Sequence, residues 1–307
     1  MSERWPQVVG IGSTVYDTLM VTEGFPQEDT KMLGVETKIQ GGGPCATALV
    51  AAAKLGVSSA YLGTVGDDPF GRYLMEDLEA WKVDVTHVRR VPEAVSFHAV
   101  VLLNRQKGTR TCVWSPGTVP PPTPRDIPEE ALAHAKVLHL DGHMLQAAIH
   151  AARLCKGLGV KVSHDAGGAY PGIETLLPYV DYLIPSEEFA MKITGAASPE
   201  DAARQLYDAY HPELVALTQG VRGGILLDAQ GMRRYESYPV EVVDSNGCGD
   251  TFHGAFVAAR VKGMGPDAAC RFASAAAALK CTRLGARIGI PTEAECLAFI
   301  QERGIVL

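Results

Sequence analysis

One doubly wound α/β domain, a mostly parallel sheet with helices on both faces, together with a small β-rich appendage, is the fold that this sequence predicts. Short apolar runs alternate with stretches of helical spacing along most of the chain, which is the rhythm of strand, helix, strand. Two segments, 18–40 and 96–118, break that rhythm with alternating, β-rich residues that lack helical spacing. A chain of 307 residues with 47% hydrophobic content can bury a large core in one big domain and still carry a small second piece.

Val8-Val9-Gly10-Ile11 reads as the first strand. Gly41-Gly42-Gly43-Pro44 is a Gly-rich turn that opens a small-residue helix from Cys45 to Leu55, and Gly56 ends it. Helical spacing returns near 67–81. Within 96–118, Phe97–Leu103 and Thr109–Trp114 are β-rich runs joined by a turn at Gln106-Lys107-Gly108, and the prolines of 116–124 lead the chain back. Strands at Val137–Leu140, Val160–Val162, Tyr182–Ile184 and Leu214–Leu217 interleave with helices near 144–158, 186–194 and 198–210. A second Gly-rich turn, Thr218–Gly224, separates two apolar runs, and long small-residue helices cover 250–262 and 266–281.

The net charge of −7 argues against nucleic acid or an anionic membrane as a main partner. The segment Met1–Pro6 lacks an apolar signal, no apolar stretch is long enough to span a bilayer, and a cytoplasmic protein is expected. Seven cysteines, at 45, 112, 155, 248, 270, 281 and 296, are scattered without a Cys-x-x-Cys pair and read as reduced thiols. Cys248, at a helix start, is the one whose pKa is expected to fall, although filling a small-residue slot is its simplest use.

Chemistry concentrates in Asp244-Ser245-Asn246-Gly247-Cys248-Gly249-Asp250 and the apolar helix that follows. Small residues around Cys248 let the backbone turn tightly and present bare N–H groups to an anion. Asp250 then stands beside a phosphoryl group, placed to take a proton from an incoming hydroxyl. Asp and Gly before a helix also serve as plain capping and turn residues. The pattern points to a kinase.

With these motifs in order, the chain resembles the ribokinase family, also called the PfkB family of carbohydrate and nucleoside kinases. Five features carry the resemblance over nearly the whole length: Asp17, the Gly41–Pro44 turn, Thr218-x-Gly220-x-x-Gly223, the Asp244–Asp250 turn and Thr282–Ala286. Gly41–Pro44, Phe252–Ala255 and Lys280–Arg283 look most like the fructose-type branch that includes sulfofructose kinases. The resemblance implies a ribokinase-like fold with a small β-sheet lid, the main domain being 1–17, 41–95 and 119–307 and the lid 18–40 and 96–118. It implies an ATP-dependent sugar kinase acting on a hydroxyl, primary by expectation, of a ketose-like sugar, with ATP, Mg²⁺ and in some members K⁺, and a homodimer formed through the lid.

Residue by residue, the resemblance makes Asp250 the base and the N–H groups of Gly247, Cys248 and Gly249 the holders of phosphoryl charge. Asp17 would accept sugar hydroxyls, and Gly42 and Gly43 would let the backbone approach the sugar. Lys31 and Arg110 in the lid, and Asp141 and His143 beyond the strand at 137–140, are further substrate-side candidates. Exposed charge is the plainer reading of Lys31 and Arg110. Thr218, Gly220, Gly223 and Asn246 would hold the nucleotide, with Ala273 and Ala277 along its base. Asp244, with the backbone near Asn246, Cys281, Leu284 and Ala286, matches places where some members bind a monovalent cation. His253, three residues after the base, is read as a solvation or packing residue.

Departures from the family pattern bear on substrate and metal. Thr47 stands where the family usually carries Asn, Ser186-Glu187-Glu188-Phe189 replaces Asn-x-x-Glu, and Asp165–Ala169 keeps only the Asp of Asp-x-Asn-x-Arg. Glu187 or Glu188 would then reach Mg²⁺ through water. His134, His139, Asp141 and His143 fit no common zinc spacing. Three alternatives stay open: an adenosine-type nucleoside kinase, a sugar- or nucleotide-binding regulator without turnover, and a dinucleotide-dependent dehydrogenase prompted by Gly10-Ile11-Gly12. The last lacks a third Gly, since Val15 stands there.

Overall fold

A strand that is apolar on both sides needs cover on both faces, and β1 (Val8–Ile11) is buried at all four positions. The computed structural model describes residues 5–107 and 109–307; Gly108 of the expected turn and Met1–Arg4 lie outside the described residues. From β1 the chain passes through β2 (Val15–Thr22), β3 (Glu36–Gly42), α1 (Pro44–Lys54), β4 (Ser59–Gly66) and α2 (Pro69–Ala80). Short β5 (Val83–Asp84) and β6 (Val88–Val91) precede the hairpin of β7 (His98–Asn104) and β8 (Thr109–Ser115). Then come α3 (Glu129–Ala133), β9 (Val137–Leu140), α4 (Leu145–Leu158), β10 (Lys161–Ala166), β11 (Tyr182–Pro185), α5 (Glu187–Thr194), α6 (Pro199–Tyr210) and β12 (Leu214–Thr218). The hairpin β13 (Gly224–Asp228) and β14 (Gly231–Tyr235) leads to α7 (Cys248–Val261), α8 (Pro266–Cys281) and α9 (Glu293–Glu302).

The main sheet has the order β14-β13-β12-β11-β10-β9-β1-β4-β5, with β6 pairing along the far half of β4. It is parallel from β12 to β5 and antiparallel at the β12–β13–β14 edge. Alternate residues of β1 enter different cores. Val8 joins the core under α1, α7, α8 and α9, while Val9 and Ile11 join the one under α3, α4, α5 and α6.

Caps set where the helices begin. The side chains of Asp68, Ser186 and Ser198 accept hydrogen bonds from Gly71 N, Phe189 N and Asp201 N, satisfying first-turn donors. The helix expected from residue 250 begins two residues earlier, at Cys248, because Gly247 takes up a left-handed φ of 78° just before it. At the contact of α7 with α1, a Cβ on Gly254 would stand 2.2 Å from the Ala48 carbonyl oxygen, so only glycine permits that approach. The sequence reading missed β4 and the β13–β14 hairpin. Ser59, Gly63, Thr64 and Gly66 interrupt the apolar run of β4, yet all eight of its positions are buried between β1 on one side and β5 and β6 on the other.

The segments that broke the helical rhythm build a separate four-stranded sheet of order β3-β2-β7-β8. Pairing places Gln40, Asp17, Ala99 and Trp114 in one row, and Ile39, Thr18, Val100 and Val113 in the next row on the opposite face. Because Asp17 pairs with Gln40 and Tyr16 with Gly41, residues 15–17, 41 and 42 are strand residues of the small sheet, not of the main domain to which the sequence reading assigned them.

Candidate active site

Loops leaving the carboxyl ends of the parallel strands converge, and the N-terminus of α7 meets them there. Gly247 N-caps α7 with its left-handed backbone. Asp244 braces the turn from within: Oδ1 accepts Asn246 N at 2.8 Å and Oδ2 accepts Gly285 N at 2.8 Å. Gly247 O receives both the N–H and the hydroxyl of Thr251, at 2.9 and 2.7 Å. Of the first-turn donors, Cys248 N is taken by Ser245 O at 3.3 Å, and the N–H groups after it are the ones an anion at the helix end would meet.

Asp250 lies in that first turn. Burial, followed by the nearby Asp165 carboxylate, raises its carboxyl to about 7. Asp165, which burial alone would raise, is held below the ordinary carboxyl range by His253, whose Nε2 lies 3.1 Å from Asp165 Oδ1. His253 was read as a solvation or packing residue; it is instead the buried partner of Asp165. His139, beside this pair, is pushed down to about 4 by burial and by His253, and stays neutral.

On one side of α7 lies a cavity of about 600 Å³, lined by Thr218, Gly223, Cys248, Phe252, Ala277 and Cys281 among others, a size suited to a nucleotide. Gly220 also lines it. Asn246 stands at the turn beside this cavity and is fixed through its N–H to Asp244. On the lid side, Asp17 rises to about 6 through burial, opposed by Arg287 and by Gln40 beside it. A Cβ on Gly42 would come within 2.2 Å of Asp17 Oδ2, and one on Gly43 (φ 90°) within 2.6 Å of Ser13 O. A second cavity of about 160 Å³ lies between Ser13, Thr14, Phe97 and His143.

Other expectations are corrected. Asp141, expected to contact substrate, instead accepts Ser13 N, Ser13 Oγ and Cys45 N on Oδ2 and His143 N on Oδ1, so it clamps the strand ends together. Thr47 is fully buried in α1 and its hydroxyl has no partner among the described residues, so it does not face a sugar. Glu187, offered as a water-mediated Mg²⁺ contact, pairs with Arg222 and accepts Gln219 Nε2 at 3.2 Å. Lys31 stays exposed on the β2–β3 loop. Arg110, on the same sheet face as Asp17, is near enough that its charge acts on Cys248. At Asp244, where a monovalent cation was expected, the wholly buried ammonium of Lys280 donates to Asp244 O at 2.7 Å and lies 3.6 Å from Oδ2.

Arg287 escaped the sequence reading. It is 1% exposed, donates to Gly42 O at 2.7 Å and pairs with Asp77, tying the loop after α8 to the Gly-rich turn. No local pattern marks it.

A parallel sheet with a small separate sheet, a helix N-terminus open to an anion and a carboxylate in its first turn define a sugar kinase of ribokinase-like fold. The model for pfkB family carbohydrate kinases matches residues 6–293. The chain belongs to that family and is a carbohydrate kinase, a phosphotransferase with an alcohol acceptor. It is 27% identical over 303 residues to the ribokinase of Haemophilus influenzae, covering 95% of this chain and 97% of that one. It is 29% identical over 299 residues to the ATP-dependent ribose-1-phosphate kinase of Halopiger xanaduensis, covering 97% and 99%. The structure of Arabidopsis thaliana ribokinase complexed with ribose and ATP superposes with a TM-score of 0.85 at 26% identity, covering 97% and 99%. A provisionally assigned ribokinase II of E. coli in complex with ATP and Mg²⁺ does so at 0.86 and 25%, with the same coverage. Among the described residues no helix is long and apolar enough to cross a membrane.

Proposed function

We propose that this kinase transfers the γ-phosphoryl group of ATP to a primary hydroxyl of a small sugar, with Asp250 as the general base. The observation that carries the reading is Asp250 in the first turn of α7, with the nucleotide-sized cavity reaching Cys248 and Gly249 beside it. Asp250 accepts the hydroxyl proton, while the N–H groups of Gly247, Cys248 and Gly249 hold the charge on the transferring group. Asp17 orients the sugar, helped by the close approach that Gly42 and Gly43 permit, and Arg110 on the same lid face adds positive charge. Thr218, Gly220, Gly223, Asn246 and Ala277 serve the nucleotide.

Among the described residues no group of three or more His, Cys, Asp or Glu side chains could hold a metal. Asp165 and Glu187 are already paired with His253 and Arg222. That arrangement fits an Mg²⁺ carried by the nucleotide phosphates with few protein ligands, where the ion neutralises phosphate charge. At Asp244 we assign the positive charge to Lys280 in place of K⁺.

The test is ADP release with Mg-ATP across a substrate panel. Ribose, 2-deoxyribose and ribose 1-phosphate, after the names of the relatives, are set against fructose, sulfonated ketoses and nucleosides. A response confined to one sugar class supports the reading and names the substrate; ATP binding with no turnover on any sugar sinks it. A nucleoside kinase finds no support in the relatives named above.

Asp250 works only when deprotonated, so kcat/KM should fall as pH drops through about 7, by about tenfold per unit below that. Asp165→Asn removes the charge that raises Asp250 and should move the midpoint downward. A midpoint unmoved by that substitution would separate the profile from Asp250.

The outer face of the small sheet carries Ile39, Val100 and Val113 in one row, 51%, 45% and 70% exposed, and we assign it to a homodimer contact through the lid. Val113→Glu should convert a dimer to monomers in analytical ultracentrifugation. A monomeric parent protein overturns the assignment.

A further inference from the structure

All seven cysteines are free, and two of them line the same nucleotide-sized cavity. Cys45, Cys155, Cys270 and Cys296 are buried, and Cys112 is exposed on the lid. Cys248 opens α7, Cys281 closes α8, and both are partly exposed and line the same cavity. Their backbones are held together, because Cys281 O accepts Val243 N at 2.8 Å and Asp244 N at 3.1 Å at the start of the Asp244–Asp250 turn. The Cys281 thiol, the Lys280 ammonium, the Gly249 N–H and the Arg110 guanidinium all favour negative charge on the Cys248 sulfur. Led by the neighbouring Cys281 thiol, these groups bring Cys248 down to about 6, while Cys281 is raised and stays a thiol.

We propose that Cys248 and Cys281 are a peroxide-responsive pair whose disulfide shuts the phosphate-binding turn and whose reduction reopens it. The Cys248 thiolate attacks a hydroperoxide oxygen, the S–O bond forms as the O–O bond breaks, and hydroxide or alkoxide leaves. Cys281 then gives up its proton, its sulfur attacks Cys248, the S–S bond forms, the S–O bond breaks and the oxygen leaves as water. Two thiols lose two electrons and one hydroperoxide gains them. A bond of about 2.05 Å between the sulfurs draws the first turn of α7 toward the end of α8, displacing the N–H groups of Cys248 and Gly249. That loss of binding rests on reading the cavity as the nucleotide site; formation of the bond does not.

The test treats the reduced full-length protein with hydrogen peroxide, blocks free thiols with iodoacetamide and digests with trypsin without reduction. The expected product is peptide 235–260 joined to peptide 281–283, lighter by two hydrogens than their sum. Binding of a fluorescent ATP analogue should be lost with the same dose dependence and return with dithiothreitol. In Cys281→Ser, peroxide should leave Cys248 as a sulfenic acid that dimedone traps. Alkylated, unlinked Cys248 and Cys281 at a peroxide level that already oxidises Cys112 overturns the proposal, as does a bond joining either residue to Cys112. A cross-link that forms in a protein whose reduced state never binds ATP upholds the pair and sinks the nucleotide reading instead.

Discussion

Asp250→Asn leaves a folded protein whose ADP release with the preferred sugar falls by about 10²–10⁴-fold, the usual effect of removing a positioned base. The substitution keeps the size and polarity of the side chain in the first turn of α7, so the Gly247 cap and the Asp244 bracing survive. It also removes a carboxylate that sits close to Asp165. Folding stability near neutral pH should therefore hold or rise slightly. Sugar KM should change little while kcat collapses, since Asp17 and the Gly42–Gly43 backbone are untouched. A variant that retains a large fraction of wild-type kcat would remove Asp250 from the chemistry, and one that unfolds would be read instead against urea denaturation of the parent.

Lys280→Met has the second large effect, through position instead of reaction. Lys280 is wholly buried and its ammonium lies on the carbonyl and carboxylate of Asp244, the residue that holds both the phosphate turn and the 282–286 loop. Methionine fills the space but leaves the buried Asp244 carboxylate without its counter-charge, which typically costs about 3–5 kcal/mol in stability. A turn displaced by about 1 Å also costs on the order of 10² in rate. The wild-type enzyme should show the same rate in potassium as in tetramethylammonium salts. Lys280→Met should regain part of its stability and rate with added K⁺, which would take the place of the ammonium. Strong activation of the wild type by K⁺ would show that Lys280 does not supply this charge.

Much of this architecture is legible in the chain because its signals are local. A strand buried on both faces favours a continuous run of residues without polar side chains, as in Val8–Ile11. Helix starts announce themselves through Asp68, Ser186 and Ser198. The Asp244–Asp250 turn shows through because a left-handed residue at 247 calls for glycine. β4 stayed hidden, since its glycines and hydroxyls are buried by neighbouring strands and not by any pattern of their own.

The site divides the same way. Residue types bound to one backbone conformation, such as Gly247, Cys248, Gly249 and Asp250, stand together in sequence as in space. Glu187 and Asp141 were misjudged because a carboxylate's role depends on which donors reach it first, here Arg222 and the Ser13, Cys45 and His143 amides.

By itself, the sequence determined the α/β rhythm, the two β-rich segments and the phosphate turn, which rest on period, glycine and charge within a few residues, and the kinase class, which rests on the order of the motifs and the resemblance they carry. Only the tertiary structure decided that Lys280 sits on Asp244, 36 residues away, that Arg287 reaches Gly42 across 245 residues, and that His253 partners Asp165. Strand order and the packing of α7 against α8 bring those groups together. A buried charge leaves no periodic trace in the chain, because its partner is chosen by proximity in the folded state and not by spacing along the backbone.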